Sequence, residues 1–275
     1  MLIRYGYDIA VELFQETPLV TAMDVHSSIR ANIVIEESIK TLKAPSVESF
    51  RDDDGTLRRR LVAGPGVLSL GLKGVYSASG EPDEVDRSAQ ASPVQDLPLE
   101  TLAYLSGSRY CETDLLSDFA WRTFGSISSG WAKVQSICDF VHNRLVFSYP
   151  LARETRTANE AMNEGLGVCR DFTHMAITLC RCLNIPARYC NGFLGDIGVP
   201  PEPAPMDFNA WFEAFLGGRW FTFDARHNCP RIGRILIARG RDAADIPMIT
   251  TFGPHRLIQF AVITEEMDTA ARRAA

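Results

Sequence analysis

The stretch Gly165-Leu166-Gly167-Val168-Cys169-Arg170-Asp171-Phe172 decides how the rest of the chain is read. Two glycines give a flexible approach. The cysteine then opens a run in which Phe172, Met175, Ala176, Leu179, Cys180 and Leu183 recur at helical spacing. The run stops at Asn184-Ile185-Pro186, where proline lacks the amide needed to continue. A thiol in the first turn of a helix lies at the positive end of the dipole, beside amides with no partner inside the helix. Both effects favour thiolate, the nucleophilic form. Cys169 is therefore the candidate nucleophile. Cys180, Cys182 and Cys190 read instead as buried packing thiols, the usual fate of a free cysteine.

A second stretch answers the first. Asp207-Phe208-Asn209-Ala210-Trp211-Phe212-Glu213-Ala214-Phe215-Leu216 and Arg219-Trp220-Phe221-Thr222-Phe223-Asp224 flank Gly217-Gly218, the pattern of a hairpin with a two-residue turn. That turn sets Leu216 opposite Arg219, hence Trp211 opposite Asp224, with Asn209 diagonal to Asp224 on the same face. The register thus predicts a polar pair, Asn209 and Asp224, side by side on rigid strands. Trp211 and Trp220 read as core or cleft wall.

Working outward, residues 2 to 76 read as short strands and turns. Asp54-Gly55 is a hairpin signal between Val47-Phe50 and Leu57-Val62, and leucines alternate from Val67 to Lys73. Val20 to His26 and Ile33 to Ser38 are further strand candidates, with His26 at the surface or rim. The polar segment from Ser77 to Pro98 reads as a linker. This gives a β-rich unit over 1–80, a linker over 81–98 and a core over 99–275. In the core, helices are expected from Asp114 to Phe124, from Trp131 to Val146 and from Thr157, with strands at 187–194, 232–238 and 257–264. Between them lies a stiff connection with Pro200, Pro201, Pro203 and Pro205.

Composition narrows the function. The 275 residues are 46% apolar and 23% charged, with ample material for a core. A net charge of -6 and the lack of a long basic run argue against nucleic acid as partner. The chain starts without the apolar core of a secretory signal, and no apolar run approaches a membrane span. Seven cysteines in no paired framework suggest reduced thiols and a cytoplasmic location. No zinc spacing appears, so neither metal nor other cofactor is expected.

A glycine-led cysteine opening a helix, a small polar residue before Ala210-Trp211, and Gly218-Arg219-Trp220-Phe221-Thr222-Phe223-Asp224 closing a hairpin together resemble the transglutaminase-like superfamily. They resemble in particular its bacterial cysteine peptidases with a β-rich N-terminal domain. The resemblance implies an α+β fold, a papain-like core behind an all-β, sandwich-like unit. It also implies a Cys-His-Asp triad with Cys169 as nucleophile and Asp224 as the carboxylate that orients the imidazole. The histidine of the family's His-Ala-Trp falls on Asn209, whose amide does not titrate near neutral pH and cannot relay a proton. His227, three residues beyond Asp224, is the possible substitute base, reachable if the strand end bends. His174 lies roughly 140° around the helix from Cys169 and points elsewhere. His142 is expected to cap or pack, and His255 to lie exposed in a turn.

The implied activity is acyl transfer or hydrolysis at amide bonds of a peptide or protein, with the Cys169 amide helping to hold the oxyanion. The alternative is a catalytically impaired pseudoenzyme that binds a peptide or protein partner in the retained cleft.

Overall fold

Apolar residues at alternate places build the first strands. The computed structural model describes residues 1–37, 46–202 and 205–267; Ser38 and Pro203, each part of an expectation above, lie outside them. The first six strands are β1 (Leu2–Leu13), β2 (Thr17–Thr21), β3 (Ile33–Glu37), β4 (Val47–Arg51), β5 (Leu57–Ala63) and β6 (Gly66–Ser77). In β1 the buried Ile3, Tyr5, Ile9, Val11 and Leu13 share one face, and in β6 the alternating Leu68, Leu70 and Leu72 are buried. The turn at Asp54-Gly55 joins β4 to β5 as expected, with Gly55 at φ +88, a conformation that suits glycine. His26 departs from expectation. It is 2% exposed because both ring nitrogens are engaged, Nδ1 with Ser28 Oγ and Nε2 with the Asp54 carbonyl, each at 2.8 Å.

The helices follow: α1 (Thr113–Phe124), α2 (Gly130–Arg144), α3 (Ala158–Glu164) and α4 (Cys169–Cys182), all near their predicted positions. A two-residue parallel pairing of β7 (Val146–Phe147) with β8 (Leu166–Gly167) ties the end of α2 to the approach to α4. Thr157 and Glu160 form a reciprocal cap on α3, and Gly165 ends that helix at φ +70. Periodicity predicted one buried face for α4, yet every residue from Asp171 to Cys182 is buried. Helices cover one side and a sheet the other, so its polar side chains find internal partners. The Arg181 guanidinium, for example, donates to the Ala187 and Ser106 carbonyls.

That sheet is β9 (Ala187–Phe193), β10 (Asn209–Leu216), β11 (Arg219–Phe223) and β12 (Ile235–Gly240), antiparallel in the order β11-β10-β9-β12. The hairpin register is as predicted, Leu216 opposite Arg219 through Phe212 opposite Phe223.

The chain then returns to the beginning. β13 (Ile249–Thr251) joins β2, and β14 (His255–Glu266) pairs along the whole of β1. The N-terminal sheets are thus β14-β1-β6-β3 and β13-β2-β5-β4, facing each other over Tyr7, Met23, Leu61 and Leu70. The division at 81–98 is therefore not where the pairing divides, because the last strands complete sheets opened by the first. Nor is 81–98 a free tether. Asp83 pairs with Arg234 at 2.9 Å, Glu84 with Arg219 at 2.6 Å, and the Ala89 carbonyl accepts from Trp131 N–H at 3.0 Å. One apolar core runs through both parts, with Tyr5 of β1 edge-on to Phe193 of β9. Among the described residues no helix is long and apolar enough to cross a membrane.

Candidate active site

Cys169 is the first residue of α4, half-buried, behind an approach that is fastened rather than loose. Asp171, 1% exposed, folds back so that its Oδ2 accepts from Val168 N–H at 3.0 Å and from Arg156 Nη1 at 3.1 Å. Gly167 permits this, since a Cβ there would stand 2.7 Å from the Asp171 Cβ. The second glycine serves close approach, not flexibility.

The sulfur faces a cleft of about 590 Å³ whose lining includes Tyr110, Tyr189, Asp207, Asn209, Ala210 and the segment from Ile246 to Thr251. The expected acidic thiol is not what results. Loss of hydration, then the Asp207 carboxylate, push the Cys169 thiol up to about 11, against the pull of Arg226 and of the Ala210 and Arg170 N–H groups aimed at the sulfur. The helix start acts in the predicted direction, but burial and a neighbouring negative charge outweigh it.

Asn209 opens β10 and lines this cleft. Its Nδ2 donates to the Leu194 and Asp207 carbonyls, both at 3.2 Å, and its Oδ1 accepts from Arg226 Nη1 at 3.3 Å. The predicted side-by-side pair does not form a hydrogen bond. Asp224, 6% exposed, turns its Oδ2 to His227 Nδ1 at 2.8 Å and to Arg234 Nη2 at 3.0 Å, and its Oδ1 accepts the N–H groups of Arg226 and His227, both at 3.0 Å. Burial alone would raise this carboxyl; the Arg234 guanidinium and the His227 contacts hold it well below the carboxylate range.

His227 therefore does reach Asp224, through the turn that follows β11. Its ring lines a polar pocket of about 280 Å³ with Asn209, Asp207, Arg226, Glu202 and Arg231, whereas Cys169 lines only the neighbouring cleft. Asn209 and Asp207 form the partition between the two. Trp211 is not a cleft wall. It is 2% exposed, packs with Cys190 and Leu236, and lies under the Arg234 guanidinium at 4.9 Å. Trp211 shares its face of β10 with Asn209, but Cys190, Leu236 and the Arg234 guanidinium cover it, so of the two only Asn209, at the start of the strand, reaches the cleft.

The other histidines are accounted for. His174 is fully buried, stacked on Tyr110 at 4.9 Å, and its Nε2 accepts from Ala243 N–H, so burial and the nearby Arg170 and Arg181 keep it neutral. His142 bonds the Arg226 carbonyl, and His255 sits on the cleft's outer rim bonded to Thr251. Sequence reasoning missed Arg226, which stacks at 3.9 Å over Phe147 and pairs with Glu202 at 2.6 Å. Its position two residues past Asp224 was the available signal. Among the described residues no group of three or more potential ligands is arranged to hold a metal ion.

Comparison with known proteins bears on the same residues. The model of the transglutaminase-like superfamily matches residues 118–225, which hold α4 and the hairpin. A solved structure from Cytophaga hutchinsonii, described as a candidate cysteine protease, is 30% identical, covers 98% of this chain and 91% of its own, and superposes with a TM-score of 0.85. The chain belongs to the transglutaminase-like superfamily. An uncharacterised protein of Mycobacterium leprae (strain TN) is 30% identical over 90 residues, and the match spans about a third of that relative's length, 32%. Within this transglutaminase-like core, Cys169 and Asn209 line the same cleft.

Proposed function

We propose that this transglutaminase-like protein binds amide-bearing polypeptide in the Cys169 cleft and that Asn209 holds its thiol chemistry at a low level. The description of the Cytophaga relative as a candidate cysteine protease supports the reaction class, attack by sulfur on a carbonyl carbon. The observation that carries the reading is the set of groups bearing on the sulfur. They include the Asp207 carboxylate, the Arg226 guanidinium and the backbone N–H groups of Ala210 and Arg170, while the His227 imidazole lines the neighbouring pocket instead.

The chemistry follows from that set. Attack by Cys169 would place negative charge on the carbonyl oxygen, which backbone N–H groups at the start of α4 can stabilise. The thiol proton must leave and the departing amine must gain one, and Asn209 can do neither. Pairing of His227 with Asp224, in the pocket beyond the partition, favours the second reading, a cleft used for binding alone.

The test is Asn209→His, assayed with fluorogenic peptide amides and esters. Restoring a base that also protonates the leaving group is expected to raise kcat/KM by about 10²–10⁴-fold. An Asn209→His protein that folds, alkylates at Cys169 and still shows no turnover would leave only the binding role.

A further inference from the structure

β13 is a three-residue edge strand, and it forms part of the wall of the cysteine cleft. Its register on β2 sets Ile249 opposite Thr21, Thr250 opposite Val20 and Thr251 opposite Leu19. On either side, Ala22 N–H donates to the Met248 carbonyl at 2.8 Å and Phe252 N–H to the Pro18 carbonyl at 3.0 Å. In an antiparallel ladder bonded and outward-facing pairs alternate. Thr250 therefore belongs to the bonded set, and the N–H and C=O groups of Ile249 and Thr251 turn away from β2. Among the described residues nothing accepts or donates to them.

The edge is also held still. Thr251 Oγ1 bonds the His255 ring at 2.6 Å, and that ring bonds the Gly253 carbonyl at 3.0 Å, fixing the turn into β14. A long free edge would invite aggregation, and natural sheets keep such edges short. Three residues are short enough to be safe and still leave two donor–acceptor pairs beside the nucleophile's cleft.

The geometry points to β-strand addition as the way substrate is held: an extended polypeptide segment pairs along Ile249–Thr251 and so crosses Cys169. This rests on the reading of the cleft as a polypeptide site, and it adds the class of substrate. The segment must be unfolded or a flexible tail, because a helix or a folded sheet has no free backbone to offer. Selectivity would come from alternate side chains, those facing Tyr110 and Tyr189 across the cleft.

The test measures binding apart from chemistry, in the full chain carrying Cys169→Ala. The probe is a fluorescein-labelled hexapeptide of alternating threonine and valine, read by anisotropy against the same peptide N-methylated at alternate amides. Methylation keeps the side chains and removes strand pairing, and is expected to weaken binding by about tenfold or more. Thr251→Pro removes one outward N–H and is tolerated at an edge. It should weaken binding about fivefold, one hydrogen bond's worth, whereas Thr251→Ser, which keeps both the N–H and the hydroxyl bonded to His255, should not. Equal affinity for the two peptides, or no binding of either, overturns the proposal whatever Thr251→Pro does to the fold. Turnover in Asn209→His that is indifferent to Thr251→Pro overturns strand addition alone. Strand-dependent binding without turnover in Asn209→His sinks the catalytic reading and leaves the docking edge standing.

Discussion

The two walls of the cysteine cleft are built to different standards. On the helix wall, the approach to Cys169 is locked by Asp171, which is buried and bonded at once to Val168 N–H and to the Arg156 guanidinium. On the ribbon wall, Asn209 has three long contacts of 3.2 to 3.3 Å, and Asp224 has turned to His227 and Arg234. Both walls keep the backbone of a transglutaminase-like core. The difference teaches that strand register and side-chain wiring are set separately, because register depends on apolar packing and the polar contacts on single side chains.

The sharpest way to break this comparison is to ask whether the ribbon wall can still serve a base. With Asn209→His in place, adding Asp224→Asn is expected to lower kcat/KM on the order of 10³-fold, the cost of losing the group that orients an imidazole. Such a loss would mean that the restored ring displaces His227 from Asp224 Oδ2. If the double variant matches Asn209→His, the carboxylate is committed to Arg234 and His227, and the ribbon wall differs in wiring as well as in one side chain.

Next in size is a stability contrast. Asp171→Asn leaves the buried Arg156 charge short of a partner and should cost on the order of 3 kcal/mol by urea unfolding, since breaking a buried pair exposes the full desolvation penalty. Glu164, at 2.9 Å from Arg156, limits the loss. Asn209→Ala, by the same assay, should cost less than about 1 kcal/mol, because its contacts are long and the site is partly open. Equal costs would erase the distinction between a fastened wall and a loose one.

What was legible in the sequence follows the range of each interaction. The α4 helix, the α3 cap and the Gly217-Gly218 ribbon were readable because periodicity, capping and turn chemistry are local. The apolar run at 257–264 announced a strand but not its partner, and β1 lies at the other end of the chain. A linker-like composition at 81–98 concealed ion pairs to Arg219 and Arg234, which no local pattern signals. In the site, Cys169, Asn209 and Asp224 could be found by motif order. The reach of His227 to Asp224 depended on a turn after β11, and the placement of Arg226 beside Asn209 on the same turn. The thiol's acidity was misread because a helix start is visible in sequence and desolvation is not.

That last point yields the smallest predicted effect and the most direct probe of the helix wall. With the Cys169 thiol raised to about 11, alkylation by iodoacetamide should climb steadily from pH 7 toward that value, and at pH 8 only roughly one sulfur in a thousand is thiolate. Exposed Cys229 provides an internal reference when the labelled sites are mapped by mass. Asp207 and Arg226 act on the sulfur with opposite signs, which separates electrostatics from burial. Removing the carboxylate with Asp207→Asn lowers the thiol's pKa, so the rate at pH 8 should rise severalfold, up to about tenfold. Removing the cation with Arg226→Gln raises the pKa and should slow the reaction. Both changes leave Val168, Asp171 and Arg156 in place, so any shift belongs to the charges on the ribbon wall. If neither moves the rate, desolvation alone sets the thiol, and the ribbon wall has no electrostatic hold on the sulfur it faces.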